Sequence, residues 1–140
     1  MDRVSPPPLV LKDLNGKSHD LAAYKGKVVL VNFWATWCPP CREEMPSMQR
    51  LKEQMAGRPF AMLGVDSGES SADLAGFLNQ VKVDFTIVFD PDSVATKRWK
   101  VFALPTSFLI DKQGKVRYVL AGPTEWDGKE AVALIEGLLQ

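Results

Sequence analysis

The sequence is short of the residues that hold metals, stitch scaffolds together or anchor a chain in lipid. Of its 140 residues two are cysteine and one is histidine, and 17 Lys plus Arg balance 17 Asp plus Glu to a formal net charge of zero. Two cysteines are too few for a disulfide-dense secreted scaffold, which spreads four or more along its chain. Balanced charge offers no field that favours nucleic acid or anionic lipid, so no nucleic-acid partner is expected. No run of about 18 apolar residues is present, which excludes a transmembrane helix, and Met1 to Pro8 has no apolar core of the kind a signal peptide needs. What remains is a folded domain: 46% hydrophobic and 24% charged residues sit near the soluble average. The expectation is a soluble monomer with residues 1–8 as a flexible tether remnant, extended at Pro6-Pro7-Pro8, and residues 9–140 as a single domain.

Periodicity supplies the organisation. Leu9–Leu11 and Lys17–Leu21 flank Asn15-Gly16, a strong hairpin signal. Val28–Phe33 is a nearly continuous β-branched run, expected as a central strand covered on both faces. A helical pattern follows from Pro39 to about Met55, and Gly57 is its stop. Phe60–Val65 reads as a second buried strand, followed by a helix from Ser70/Ser71 to about Val81. Phe85–Phe89 is a further strand, and Ser93–Lys100 fits a short helix. Ser107–Asp111 and Val116–Ala121 form an antiparallel hairpin, and Asp127–Leu139 closes the chain as an amphipathic helix. Alternating βαβ followed by ββα predicts an α/β domain with a mixed central sheet flanked by helices.

The two cysteines fall together in Cys38-Pro39-Pro40-Cys41, where the buried strand hands over to the helix. Thiols at this spacing can close a disulfide, with Cys38 expected to be exposed and Cys41 to face the helix interior. Partial positive charge at a helix N-terminus favours thiolate, the nucleophilic form. Pro39 and Pro40 are tolerated there because first-turn N–H groups have no intrahelical acceptor. Other uses of the pair fit poorly. A zinc site wants about four ligands, and only His19 remains to join them. Covalent haem attachment wants His after the second cysteine, where Arg42 stands. A structural disulfide closing so small a loop removes little chain entropy. Redox exchange through a Cys38–Cys41 disulfide, with no other cofactor and no metal, is the expected chemistry.

Phe33-Trp34-Ala35-Thr36-Trp37-Cys38-Pro39-Pro40-Cys41 resembles the active-site segment of the thioredoxin superfamily. Arg42-Glu43-Glu44-Met45-Pro46, Val65-Asp66-Ser67-Gly68-Glu69-Ser70 and Leu104-Pro105-Thr106-Ser107-Phe108-Leu109-Ile110-Asp111 narrow the resemblance to the TlpA/ResA group of bacterial thiol-disulfide oxidoreductases. The resemblance implies a thioredoxin-like fold with an N-terminal β-hairpin and a βα insertion at about 60–83. It also implies a cis bond before Pro105, which would leave the Leu104 backbone free to pair with an extended substrate. Read without the resemblance, Pro105 is an ordinary strand-start proline. Protein substrates with disulfides, apocytochromes c or metallochaperones among them, a membrane electron donor and a periplasmic or extracytoplasmic, often membrane-tethered location are implied in the same way.

Thioredoxin itself carries a buried Asp where this chain has Asn32, so another group must manage the proton of Cys41. At 100° per residue, Met48, Leu51 and Met55 form an apolar stripe with Cys41, and Glu44 falls inside it. A carboxyl so placed has a raised pKa and can exchange a proton with the resolving thiol; a solvated Glu44 is the competing reading, since Pro46 can shift the helix phase. Glu69 is implied by the resemblance to line the active-site cavity, whereas the residues alone allow a loop charge. Trp37 offers an apolar docking surface beside Cys38. Trp126 either walls the same face or packs under the last helix. The reading is a disulfide reductase; a peroxiredoxin-like peroxidase and a copper(I) carrier are the alternatives. Against the first, Ala35 stands where a peroxidatic loop usually has Thr; against the second, no histidine follows the cysteines.

Overall fold

Alternation along one strand decides the layers. In β3 (Val28–Trp34), Val28, Leu30 and Trp34 join one apolar cluster, and Val29, Val31 and Phe33 join another on the opposite face. Every residue of β3 is buried, as a strand covered on both sides requires. The computed structural model describes residues 4–140. Before β3 come β1 (Val10–Lys12), β2 (Ser18–Asp20) and a 3₁₀ turn (Leu21–Tyr24). After it come α1 (Pro39–Gln54), β4 (Phe60–Ser67), α2 (Ser71–Gln80), β5 (Thr86–Asp90), α3 (Val94–Arg98), β6 (Thr106–Ile110), β7 (Val116–Ala121) and α4 (Lys129–Leu139).

The strands form one mixed sheet in the order β2-β1-β5-β4-β3-β6-β7. β3, β4 and β5 run parallel, joined by crossover helices α1 and α2, whereas β6 and β7 lie antiparallel beyond β3. This is the mixed α/β architecture that the alternating pattern predicts. The βα unit expected at about 60–83 is present as β4 and α2, and β4 is built into the centre of the sheet. The Asn15-Gly16 hairpin is β1–β2, with Gly16 at φ 82°, and it docks on β5. His19 stays in this hairpin, paired with Asp13 at 2.8 Å, far along the sheet order from β3.

Residues 1–3 of the expected tether remnant lie outside the described residues, and the next two, Val4 and Ser5, meet the edge of the sheet. The Val116 N–H donates to the Val4 carbonyl at 2.7 Å, and Lys115 Nζ donates to Ser5 Oγ at 2.6 Å. β7 is a sheet edge, and its free N–H groups recruit the passing chain.

Pro46 lies inside α1 without breaking it. Cys41, Glu44, Met45, Ser47, Met48 and Leu51 are all buried, so the stripe keeps its phase through the proline. Ser47 Oγ donates to the Glu44 carbonyl at 3.0 Å, tightening the turn around the proline.

Candidate active site

The site forms where β3 ends, α1 begins and the loop entering β6 crosses opposite them. Cys38 is the N-cap of α1, with extended backbone (φ −92°, ψ 107°), and its sulfur accepts the Cys41 N–H at 3.4 Å. Pro39 and Pro40 occupy the first two helical positions, where no N–H is wanted. Across the gap, the Leu104–Pro105 bond is cis, and the Leu104 carbonyl lies 3.7 Å from Cys38 Sγ. Both cysteines are free thiols.

One expectation is corrected: Cys38 is not exposed. Only 3% of its surface is accessible, because the sulfur is folded under the α1 N-terminus and against Leu104. The exposed groups are its aromatic neighbours. Trp37 is 67% exposed, and Phe102, two residues before Leu104 and not singled out from the sequence, is 91% exposed.

Cys41 is buried beneath Cys38, and its thiol is pushed far up. Burial is the main cause; the hydrogen bond with Cys38 and the negative charges of Cys38 and Glu44 add to it, against a smaller opposing effect from a backbone bond at Ala35. The resolving thiol therefore keeps its proton at neutral pH and needs an acceptor when it attacks.

Glu44, whose charge bears on Cys41, is a candidate. It lies on the buried face of α1, not in solvent, one turn beyond Cys41. Its Oε1 accepts Asn32 Nδ2 at 2.9 Å, and its Oε2 accepts Thr124 N at 2.8 Å and Trp126 Nε1 at 2.9 Å. Burial nevertheless raises the carboxyl above its ordinary value, with these three donors opposing. Asn32 uses its second N–H on Ser107 Oγ at 2.7 Å, and Ser47 Oγ accepts the Trp126 N–H at 3.0 Å. Trp126 is buried in the same apolar cluster as Ala131 and Ile135 of α4 and also holds Glu44. Ser47, Ser107 and Thr124 escaped the sequence reading, because hydrogen-bond partners 75 to 80 residues apart leave no spacing signal.

Glu69 sits at the same end of the sheet but grips the loop, not a thiol. Its two oxygens take the Thr36 N–H at 2.7 Å and the Thr36 hydroxyl at 2.6 Å. Beside it is Asp66, the penultimate residue of β4 and fully buried, pushed up to about 9 by burial first and then by the Glu69 carboxylate and the more distant Asp73. Burial alone would raise Glu69 too, but the hydrogen bonds from Asp66 and Thr36 hold it below its ordinary value. The signal for Asp66 was an acid closing the apolar run Met62–Val65. Among the described residues no group of three His, Cys, Asp or Glu could hold a metal ion, and no helix is long and apolar enough to cross a membrane.

Comparison with known proteins agrees with this geometry. The model of the AhpC/TSA family matches residues 5–119. The thiol-disulfide oxidoreductase ResA of Geobacillus thermodenitrificans is 40% identical over 116 residues, which cover 83% of this chain and 67% of that one. ResA of Bacillus subtilis is 39% identical over 83% of this chain and 65% of its own. The chain thus spans about two thirds of these relatives' length. Among solved structures, a protein from Chlorobium tepidum described as a putative thiol:disulfide interchange protein DsbE superposes with a TM-score of 0.91 at 32% identity, covering 100% of this chain and 99% of the other. StoA from Bacillus subtilis gives 0.76 at 25% identity, covering 94% and 96%.

Proposed function

Because the chain belongs to the AhpC/TSA family and is, with its ResA relatives, a thiol-disulfide oxidoreductase of thioredoxin-like fold, we propose that it reduces protein disulfides through a Cys38–Cys41 dithiol. The observation that carries this is the placement of Cys38 Sγ between the Cys41 N–H and the Leu104 carbonyl. Cys38, as thiolate, attacks one sulfur of the substrate disulfide; the other substrate sulfur leaves and takes up a proton. Cys41 then gives up its proton and attacks Cys38 Sγ in the mixed disulfide. The second substrate thiol departs, and two electrons have passed from the enzyme dithiol to the substrate. Glu44 is the proton acceptor for Cys41, and a carboxyl raised by burial suits that exchange.

The substrate is an extended segment pairing with the backbone at Leu104 and cis-Pro105, in the manner of strand addition. Pro39, Pro40 and the exposed rings of Trp37 and Phe102 form the apolar rim around it. With no net charge to steer docking, these contacts set the affinity. We further propose that the protein works outside the cytoplasm as a monomer, tethered through its amino-terminal side and recharged by a membrane electron donor. Apocytochrome c or metallochaperone cysteines are its substrates in that setting.

The test is insulin reduction with dithiothreitol as donor. Wild type should precipitate insulin B chain, Cys38→Ser should not, and Cys41→Ser should accumulate a mixed disulfide visible by mass spectrometry. Equal turnover by wild type and Cys38→Ser would overturn the reading. Stoichiometric peroxide consumption without insulin reduction would move it to a peroxidase, and tight copper(I) retention against a chelator to a carrier.

A further inference from the structure

Thr36, Asp66 and Glu69 form a polar cluster of their own beside the dithiol, and the exchange chemistry leaves it unused. Asp66 is fully buried, and among the described residues no nitrogen or hydroxyl donor reaches either of its carboxyl oxygens. Its hydrogen-bonding neighbour is another acid, Glu69. Two carboxyl groups in contact cannot both carry charge in a dry site; they share one proton, and the acid that holds it donates to the other. Which one holds it follows from their partners. Glu69 accepts two short bonds from Thr36, so it is the carboxylate, and Asp66, with no other donor, is the acid.

We propose that Asp66 is a positioning residue for the nucleophile loop: its carboxylic acid donates to the Glu69 carboxylate and keeps that carboxylate on the N–H and hydroxyl of Thr36, two residues ahead of Cys38. β4 supplies the rigid base for this clamp. Asp66 pairs in register with Trp34 on β3 and Phe89 on β5, and Glu69 follows the tight turn at Gly68 (φ 72°). Thr36 has left β3 and enters no helix; Glu69 holds it through two hydrogen bonds, beside the turn closed by the Cys38 N–H on the Ala35 carbonyl at 3.2 Å. The charged groups facing the cluster are Asp73 on α2, whose charge opposes ionisation of both acids, and Arg42 on α1, across the surface cleft lined by Thr36, Asp73 and Phe77. Loss of the shared proton leaves two adjacent carboxylates, and the less buried one, Glu69, is driven off Thr36. The clamp is therefore closed at neutral pH and opens in alkali, in keeping with the high titration of Asp66.

The inference rests on Cys38 being the attacking thiol, and its test reads the clamp separately from turnover. NMR of the reduced full chain would follow the side-chain carboxyl carbons of positions 66 and 69 and the Thr36 amide from pH 5 to 10.5, alongside insulin reduction. In wild type the Asp66 carbon and the Thr36 amide should shift together in one alkaline step. Asp66→Asn replaces the shared proton by a permanent amide donor, so its Thr36 amide should show no step. The ratio of its insulin rate at pH 9.5 to that at pH 7 should exceed the wild-type ratio at least threefold. Glu69→Gln, a second variant that does not depend on position 66, should move the Thr36 amide at every pH. An Asp66 carbon that titrates in the ordinary carboxylate range, a Thr36 step that survives in Asp66→Asn, or a Thr36 amide indifferent to Glu69→Gln would each overturn the proposal. Absent insulin reduction by wild type would instead strike the reductase reading and leave the NMR result standing.

Discussion

Replacing Glu44 by Ala and by Gln should separate its hydrogen bonding from its proton chemistry. Its carboxylate accepts three buried N–H groups, from Asn32, Thr124 and Trp126. Alanine orphans all three, and at about 1–3 kcal/mol for each unsatisfied buried group the loss is on the order of 3–9 kcal/mol, a large part of a typical domain's stability. Glutamine keeps one oxygen for Thr124 and Trp126 and turns its amide nitrogen toward Asn32, which is also a donor. That single mismatch costs about 1–2 kcal/mol. The pH dependence has a definite sign. Burial raises the Glu44 carboxyl above its ordinary 4.5, so its contribution to stability is complete below that value and declines as pH rises through the folded value. The Glu44→Gln variant has no such decline, so its deficit against wild type should narrow from pH 4 to pH 8. Urea unfolding of the three proteins at both pH values measures this. Equal destabilisation by Ala and Gln, or an Ala variant within about 1 kcal/mol of wild type, would refute the triple-acceptor account. Independently, Glu44→Gln should lengthen the life of the mixed disulfide by about 100-fold if Glu44 takes the Cys41 proton.

Two further outcomes follow from the same site. Asp66 titrates at about 9 in the fold against an ordinary 3.8, so its contribution to stability is present below pH 3.8 and lost as pH rises toward 9. Asp66→Asn removes that loss and should gain up to about 4 kcal/mol over wild type at pH 7 and almost nothing at pH 3.5. A gain of equal size at both pH values in urea unfolding would point to packing and not to titration. Phe102→Ser removes a ring that is 91% exposed and so leaves stability unchanged within about 0.5 kcal/mol. It should raise KM for a protein disulfide about 3- to 10-fold with kcat unaltered. An unchanged KM would remove Phe102 from the docking rim.

Much of the fold is legible because apolar periodicity is a local property. The strand at Val28, the helix from Pro39, the Asn15-Gly16 hairpin and the closing ββα unit lie within a few residues of where the pattern puts them. Glu44 was legible for the same reason: 100° per residue places it with Met48 and Leu51, and burial of that face follows. The exposure of Cys38 was misread because it depends on Leu104, 66 residues away, folding over the sulfur. The contacts of Val4 and Ser5 left no signal in the sequence because they depend on the free edge of β7.

What the sequence determined by itself is the chemistry on offer: one pair of thiols at a strand-to-helix turn. Spacing along the chain limits which bonds can form, and two cysteines three residues apart leave little choice. Which groups hold and tune those thiols was decided by tertiary structure alone. Glu44 meets Asn32, Thr124 and Trp126, and Glu69 meets Thr36 and Asp66, only because β3, β4, α1 and the β7–α4 loop converge at one end of the sheet. Desolvation and hydrogen bonding act through space, so the protonation of a carboxyl depends on what packs around it and not on its place in the chain.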